Sequence, residues 1–174
     1  SGEFILEKLG ELQLTPTEIV FTHAHFDHVL GSLALASLAN IPTWLHPADT
    51  PLLTRAQKSA EHWLGYSVDP VPPATNVLAT KTTFKLGDEL LSIMHLPGHT
   101  PGGIGIGIFT GPAPFICSGD VITDEGLGTT THSYSNKADF RNSLIKLRNL
   151  PTNTLLYPGH GKPILASDLD SSVQ

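Results

Sequence analysis

The sequence predicts a single α/β domain, and three observations lead there. The chain has 174 residues, about the size of one domain. Its apolar residues make up 40% of the total, enough to bury a core. Short β-branched runs alternate with longer helical patterns, and no internal repeat, low-complexity block or linker divides them.

The elements follow in order. Phe4, Ile5, Leu9 and Leu12 recur at helical spacing with charges between them, so 2–14 is expected as a helix that ends at Thr15-Pro16. Residues 18–22 (EIVFT) read as a short buried strand, which places His23 to His28 at its carboxyl end. Residues 29–39, rich in Ala and Leu, read as a helix broken at Asn40-Ile41-Pro42. Residues 43–46 form a second strand, and 48–64 a helix with Pro51 as a point of interruption. Residues 65–80 carry Pro70, Pro72 and Pro73 without a period, hence a loop. Two apolar runs, 82–86 and 89–96, flank Gly87-Asp88 as a hairpin. A glycine-rich loop at 97–103 leads to strands at 104–109 and 114–117 around Gly111-Pro112. Residues 124–136 are polar and irregular. Residues 138–150 read as an amphipathic helix with Phe140, Leu144, Leu147 and Leu150 on one face. A last strand at 155–157 runs into Pro158-Gly159-His160-Gly161, and the tail after Ile164 is polar.

Charge narrows the function. Ten Lys and Arg stand against 16 Asp and Glu, a net charge of −6, which argues against nucleic acid or an anionic membrane surface as partner. No apolar stretch approaches the roughly 18 residues that span a bilayer. The first ten residues lack the basic and apolar regions of a signal peptide. A lone cysteine, Cys117, excludes an intramolecular disulfide and fits a reducing, cytoplasmic compartment. Cys117 lies in an apolar run and reads as a small buried residue.

The chemistry lies in the histidines, nine in all. THAHFDH supplies His23, His25, Asp27 and His28 within six residues, directly after a strand. Imidazole and carboxylate are the donors that suit zinc, iron and manganese. In extended backbone His23 and His25 point the same way, while Asp27 and His28 face elsewhere once the chain turns. The spacing therefore suggests two pairs of ligands feeding two neighbouring metal ions. Three further motifs each follow an apolar run and carry glycine: LPGHTPGG with His99, SGD with Asp120, and PGHG with His160. Glycine suits a tight turn where backbone must approach an ion closely. One carboxylate, Asp120, has two oxygens and can bridge two cations.

THAHFDH, PGHT, SGD and PGHG, in that order, resemble the metallo-β-lactamase superfamily. Within it the chain looks most like the short hydroxyacylglutathione hydrolase (glyoxalase II-like) proteins. Steps of 71, 21 and 40 residues separate His28, His99, Asp120 and His160, in keeping with that group. The resemblance implies an αββα sandwich, here without the N-terminal strands of the fold. It implies a first metal on His23, His25 and His99 and a second on Asp27, His28 and His160, with Asp120 bridging. The two metals are expected to be zinc, with iron or manganese suited to the same donors. The expected activity is metal-dependent hydrolysis, in which a metal-bridged hydroxide attacks a thioester or related ester, and Asp27 and Asp120 are the catalytic carboxylates. Related readings are a lactonase, an iron persulfide dioxygenase and a non-catalytic metal-binding fragment.

Relative to that family the chain begins at the helix preceding the first motif, which leaves sheet backbone to be paired and predicts a homodimer or another form of edge protection. The resemblance implies a basic residue after SGD to meet a substrate carboxylate; here that segment, EGLGTTTHSYSN, departs from the pattern with no Arg or Lys before Lys137, which leaves His132 or Lys137 as the substitutes. Substrate recognition falls to the loops at 66–79 and 126–136. Of the remaining histidines, His46 reads as an ordinary residue ending a short strand, with support of the ligands as the lesser alternative, His62 is expected to be solvated and His95 to pack. Trp44 and Trp63 are expected in the core.

Overall fold

The computed structural model describes residues 2–39, 41–78, 81–123 and 126–169. The chain divides into two compact units, Ser1–Ala79 and Thr80–Gln174.

In the first unit, helix α1 (Gly2–Glu11) stops three residues short of the expected end. Gln13 takes a φ of 53°, and the Leu14 amide donates to the Leu9 carbonyl at 2.8 Å, which closes the helix with a left-handed turn. Strand β1 (Ile19–Val20) follows, with only two of its five expected residues paired. The expected helix over 29–39 is two pieces, α2 (Phe26–Val29) and α3 (Ser32–Ala39), separated at Leu30-Gly31. Asn40, the expected breaker, lies outside the described residues. Strand β2 (Thr43–Leu45) leads through a 3-10 turn, Pro47–Asp49, into α4 (Thr50–Leu64). Pro51 sits in the first turn of α4, where a missing N–H costs nothing, so it starts the helix and does not interrupt it. The stretch expected as pure loop contains β3 (Asn76–Val77), which pairs with β2. A reciprocal pair of bonds aligns them: the Thr43 amide donates to Thr75 Oγ1, and the Thr75 amide to Thr43 Oγ1, each at 2.9 Å. The sheet is wholly parallel, in the order β1-β2-β3. Phe21, Ala24, Val29, Leu45, Leu53 and Ala56 form its core. Trp63, expected in the core, is 73% exposed, and Trp44 is half-buried.

In the second unit, β4 (Thr83–Leu86) and β5 (Glu89–His95) form the expected hairpin, with Leu86 facing Glu89 across Gly87-Asp88. Strands β6 (Ile104–Ile108) and β7 (Phe115–Gly119) continue it. The segment read as irregular holds a small hairpin, β8 (Ile122–Thr123) with β9 (Gly126–Leu127), while Asp124 and Glu125 lie outside the described residues. Helix α5 (Lys137–Arg148) precedes β10 (Leu155–Pro158). The polar tail contains β11 (Ile164–Leu165) and a 3-10 turn that buries Leu169, while 170–174 lie outside the described residues. The six-stranded sheet has the order β11-β10-β7-β6-β5-β4. Phe140, Leu144 and Leu147 of α5 pack with Leu96, Ile116 and Leu156, the face its spacing predicts.

Candidate metal centre

The first donor set stands where β1 ends. In open α/β sheets ligands gather outside the carboxyl ends of parallel strands. His25 has extended backbone, and the chain then turns into the single helical turn of α2, which carries Asp27 and His28. The imidazoles crowd one another: the His23 ring lies 4.8 Å from that of His25 and 4.1 Å from that of His28, centre to centre. His23 is 2% exposed, and Thr22 Oγ1 lies 3.2 Å from its Nδ1. His28 Nε2 stands 3.4 Å from Asp27 Oδ2. Imidazoles gathered this closely cannot all carry charge without strong mutual repulsion. Neutral imidazole beside carboxylate is a donor set that a divalent metal fits.

The second set is gathered by topology. β7 and β10 are parallel neighbours, so Asp120 and His160, on the turns after them, emerge at the same edge of the sheet. The Gly159 amide donates to the Gly119 carbonyl at 2.9 Å and keeps the two turns in register. β5 is antiparallel to β6, and β6 to β7, so the turn after β5, with His99, reaches that edge as well. His99 Nε2 and His160 Nε2 each stand 3.6 Å from Asp120 Oδ2. That separation is too long for a hydrogen bond and suits donors grouped about a cation. His99 Nδ1 donates to the Thr129 carbonyl at 2.8 Å, which fixes the orientation of the ring and places the proton on Nδ1. His99 and Asp120 are buried, while His160 is half-exposed.

The His99 loop is anchored on the start of α5. Ser143 Oγ donates to the Pro97 carbonyl at 2.7 Å, the Asn136 amide to the Gly98 carbonyl at 2.9 Å, and Ser135 Oγ to the His99 carbonyl at 2.8 Å. Gly98 has a φ of 129°, and a Cβ there would overlap the Phe140 backbone, so glycine is required at this position.

Each expected ligand thus falls in one of two sets: His23, His25, Asp27 and His28 in the first unit, and His99, Asp120 and His160 in the second. His46 Nδ1 accepts from the Ala48 amide at 3.3 Å and caps a 3-10 turn. His95 is exposed, its Nε2 3.2 Å from the Pro101 carbonyl, because β5 turns that residue outward. His62 is exposed as expected, edge-on to Trp63. His132 is exposed, its ring edge-on to His99 at 6.1 Å and stacked on Tyr134 at 5.1 Å, while Lys137 begins α5. Sequence reading missed Asp49, which is 0% exposed and whose Oδ2 accepts from the Ala24 amide at 3.1 Å. An Asp before a helix reads locally as an N-cap, which hides such a contact.

Comparison with known proteins agrees with this geometry. The profile of the metallo-beta-lactamase superfamily matches residues 1–160. The chain is 30% identical to the probable metallo-hydrolase YqgX of Bacillus subtilis, over 92% of this chain and 75% of that one. It is 28% identical to the hydroxyacylglutathione hydrolase GloC of Haemophilus influenzae, over 92% and 76%. Among solved structures, TTHA1623 in a di-iron-bound form shares 29% identity with a TM-score of 0.81, covering 100% of this chain and 84% of that one. The BLEG-1 B3 metallo-beta-lactamase shares 27% with a TM-score of 0.82, covering 96% and 80%. The chain therefore belongs to the metallo-β-lactamase superfamily, with its α/β fold and metal-binding hydrolase chemistry. Among the described residues no helix is long and apolar enough to cross a membrane.

Proposed function

We propose that this chain is a dinuclear metallohydrolase that cleaves a thioester of the hydroxyacylglutathione type. The observation that carries the reading is the composition of the two donor sets, five imidazoles and two carboxylates placed at strand ends. In this reading His23, His25 and His99 would hold one metal ion and Asp27, His28 and His160 the other, with Asp120 available to both. The proposed metal is zinc, and the di-iron form of TTHA1623 supports iron as the alternative. Bound divalent ions supply Lewis acidity and bring the pKa of water toward ~7.

The chain's own groups do the rest. The Thr129 carbonyl orients the His99 ring. Asp27, the more exposed carboxylate, would take the proton of the attacking water and deliver it to the departing thiolate as the C–S bond breaks. His132, exposed beside His99 and backed by Tyr134, meets the carboxylate of the substrate. Similarity to the hydroxyacylglutathione hydrolase of Haemophilus influenzae supports the thioester over other esters.

Elemental analysis of the purified chain, followed by a substrate panel, tests this. Two equivalents of metal with turnover of S-lactoylglutathione, abolished by a chelator, is the expected result. Turnover of homoserine lactones alone makes it a lactonase, and of a cephalosporin alone a β-lactamase. One iron with persulfide consumption makes it a dioxygenase. Bound metal without turnover leaves a non-catalytic binding domain.

A further inference from the structure

Asp49 is a carboxylate with no exposed surface at all, and burying a carboxylate is costly unless it is held by hydrogen bonds or charge. It occupies the N-cap position of α4 but makes no side-chain cap bond to that helix. Its Oδ2 reaches instead across 25 residues of sequence to the Ala24 amide, 3.1 Å away. Ala24 is itself buried and lies between His23 and His25. The amide that Asp49 holds belongs to the peptide linking His23 to Ala24. Fixing that peptide plane fixes the backbone between two imidazoles whose ring centres lie 4.8 Å apart. Leu53 and Ala56 of α4 pack in the same core as Ala24, so the carboxylate is carried on a rigid support.

We infer that Asp49 is a positioning residue for the His23–His25 ligand pair, acting through the Ala24 amide and without touching the metal. The inference rests on the metal-centre reading proposed above. A charged acceptor makes a shorter and stronger bond than a neutral one, so the charge as well as the shape matters.

The test uses the full chain, with zinc affinity measured by competition against a chromophoric chelator and the ligand field read from the cobalt(II) spectrum. Asp49→Ala, checked for folding by circular dichroism, is expected to weaken zinc binding by about 10- to 100-fold and to alter the cobalt bands. Asp49→Asn keeps an acceptor but loses the charge, and is expected to lie between, with a loss of at least about threefold. A folded Asp49→Ala variant that binds zinc as tightly as the parent overturns the inference and leaves the hydrolase reading intact. If Asp49→Ala does not fold, Asp49→Asn decides alone, and unchanged affinity there overturns the inference. A parent chain that takes up no metal overturns both.

Discussion

At the scale of the residue, what matters is which atom of each side chain is already committed. The Thr129 carbonyl takes the Nδ1 proton of His99, so the other nitrogen is the one left to face Asp120. Cys117, expected as a small buried residue, is only partly buried, because its side chain reaches the outer face of β7. It stands three residues before Asp120, and burial pushes its thiol above the ordinary value, because desolvation penalises the thiolate. The thiol is therefore neutral at physiological pH. Native chain is expected to react with iodoacetamide at least about tenfold more slowly than chain unfolded in urea, and equal rates would contradict this. The linkage has a definite sign. The raised thiol contributes stability at pH below its ordinary value of 9.0, and that contribution is lost as pH rises from there through the folded-state value. Denaturant melts taken on either side of that pH read the loss directly.

At the scale of the element, α5 is the anchor of the second donor set. Its N-cap Asn136 accepts through Oδ1 from the Ala138 amide at 2.9 Å and the Asp139 amide at 3.1 Å. The backbone amide of the same residue holds the Gly98 carbonyl, one residue before His99. The two roles are separable, since a substitution removes the side chain and leaves the amide. Asn136→Ala is expected to lower unfolding stability by about 0.5–2 kcal/mol in urea titration, with metal stoichiometry unchanged. Loss of a metal equivalent in a folded variant would show that the cap also shapes the His99 loop. The buried face of α5, by contrast, needs no special chemistry: its apolar residues recur every three or four positions, which a sequence displays openly.

At the scale of the whole molecule, one superfamily match runs through both units. Among the described residues the two larger sheets end in strands with one unpaired side, β1 and β3 in the three-stranded sheet and β11 and β4 in the six-stranded one. Large apolar side chains are exposed on each unit, among them Phe4, Leu12 and Trp63 in the first and Leu86 and Leu90 in the second. Open edges and exposed apolar groups both favour association. Sedimentation velocity over a range of concentrations is expected to show a dimer, and a monomer throughout would overturn the expectation of self-association.

The ligand types, the β4–β5 hairpin and the buried face of α5 were legible from the chain alone, because each is written in residues close together in sequence. THAHFDH and PGHG carry their donors within a few positions, and helical period is a local property. The pairings of β3, β9 and β11 were not legible. Each is two residues long, and so short a strand exists only because a partner backbone supplies its hydrogen bonds. The same reason hid Asp49, whose carboxylate finds the Ala24 amide only after α4 has packed, and the Thr129 carbonyl, which meets His99 across 30 residues. Local chemistry named the donors. Hydrogen bonds between residues far apart in sequence decided how those donors are held.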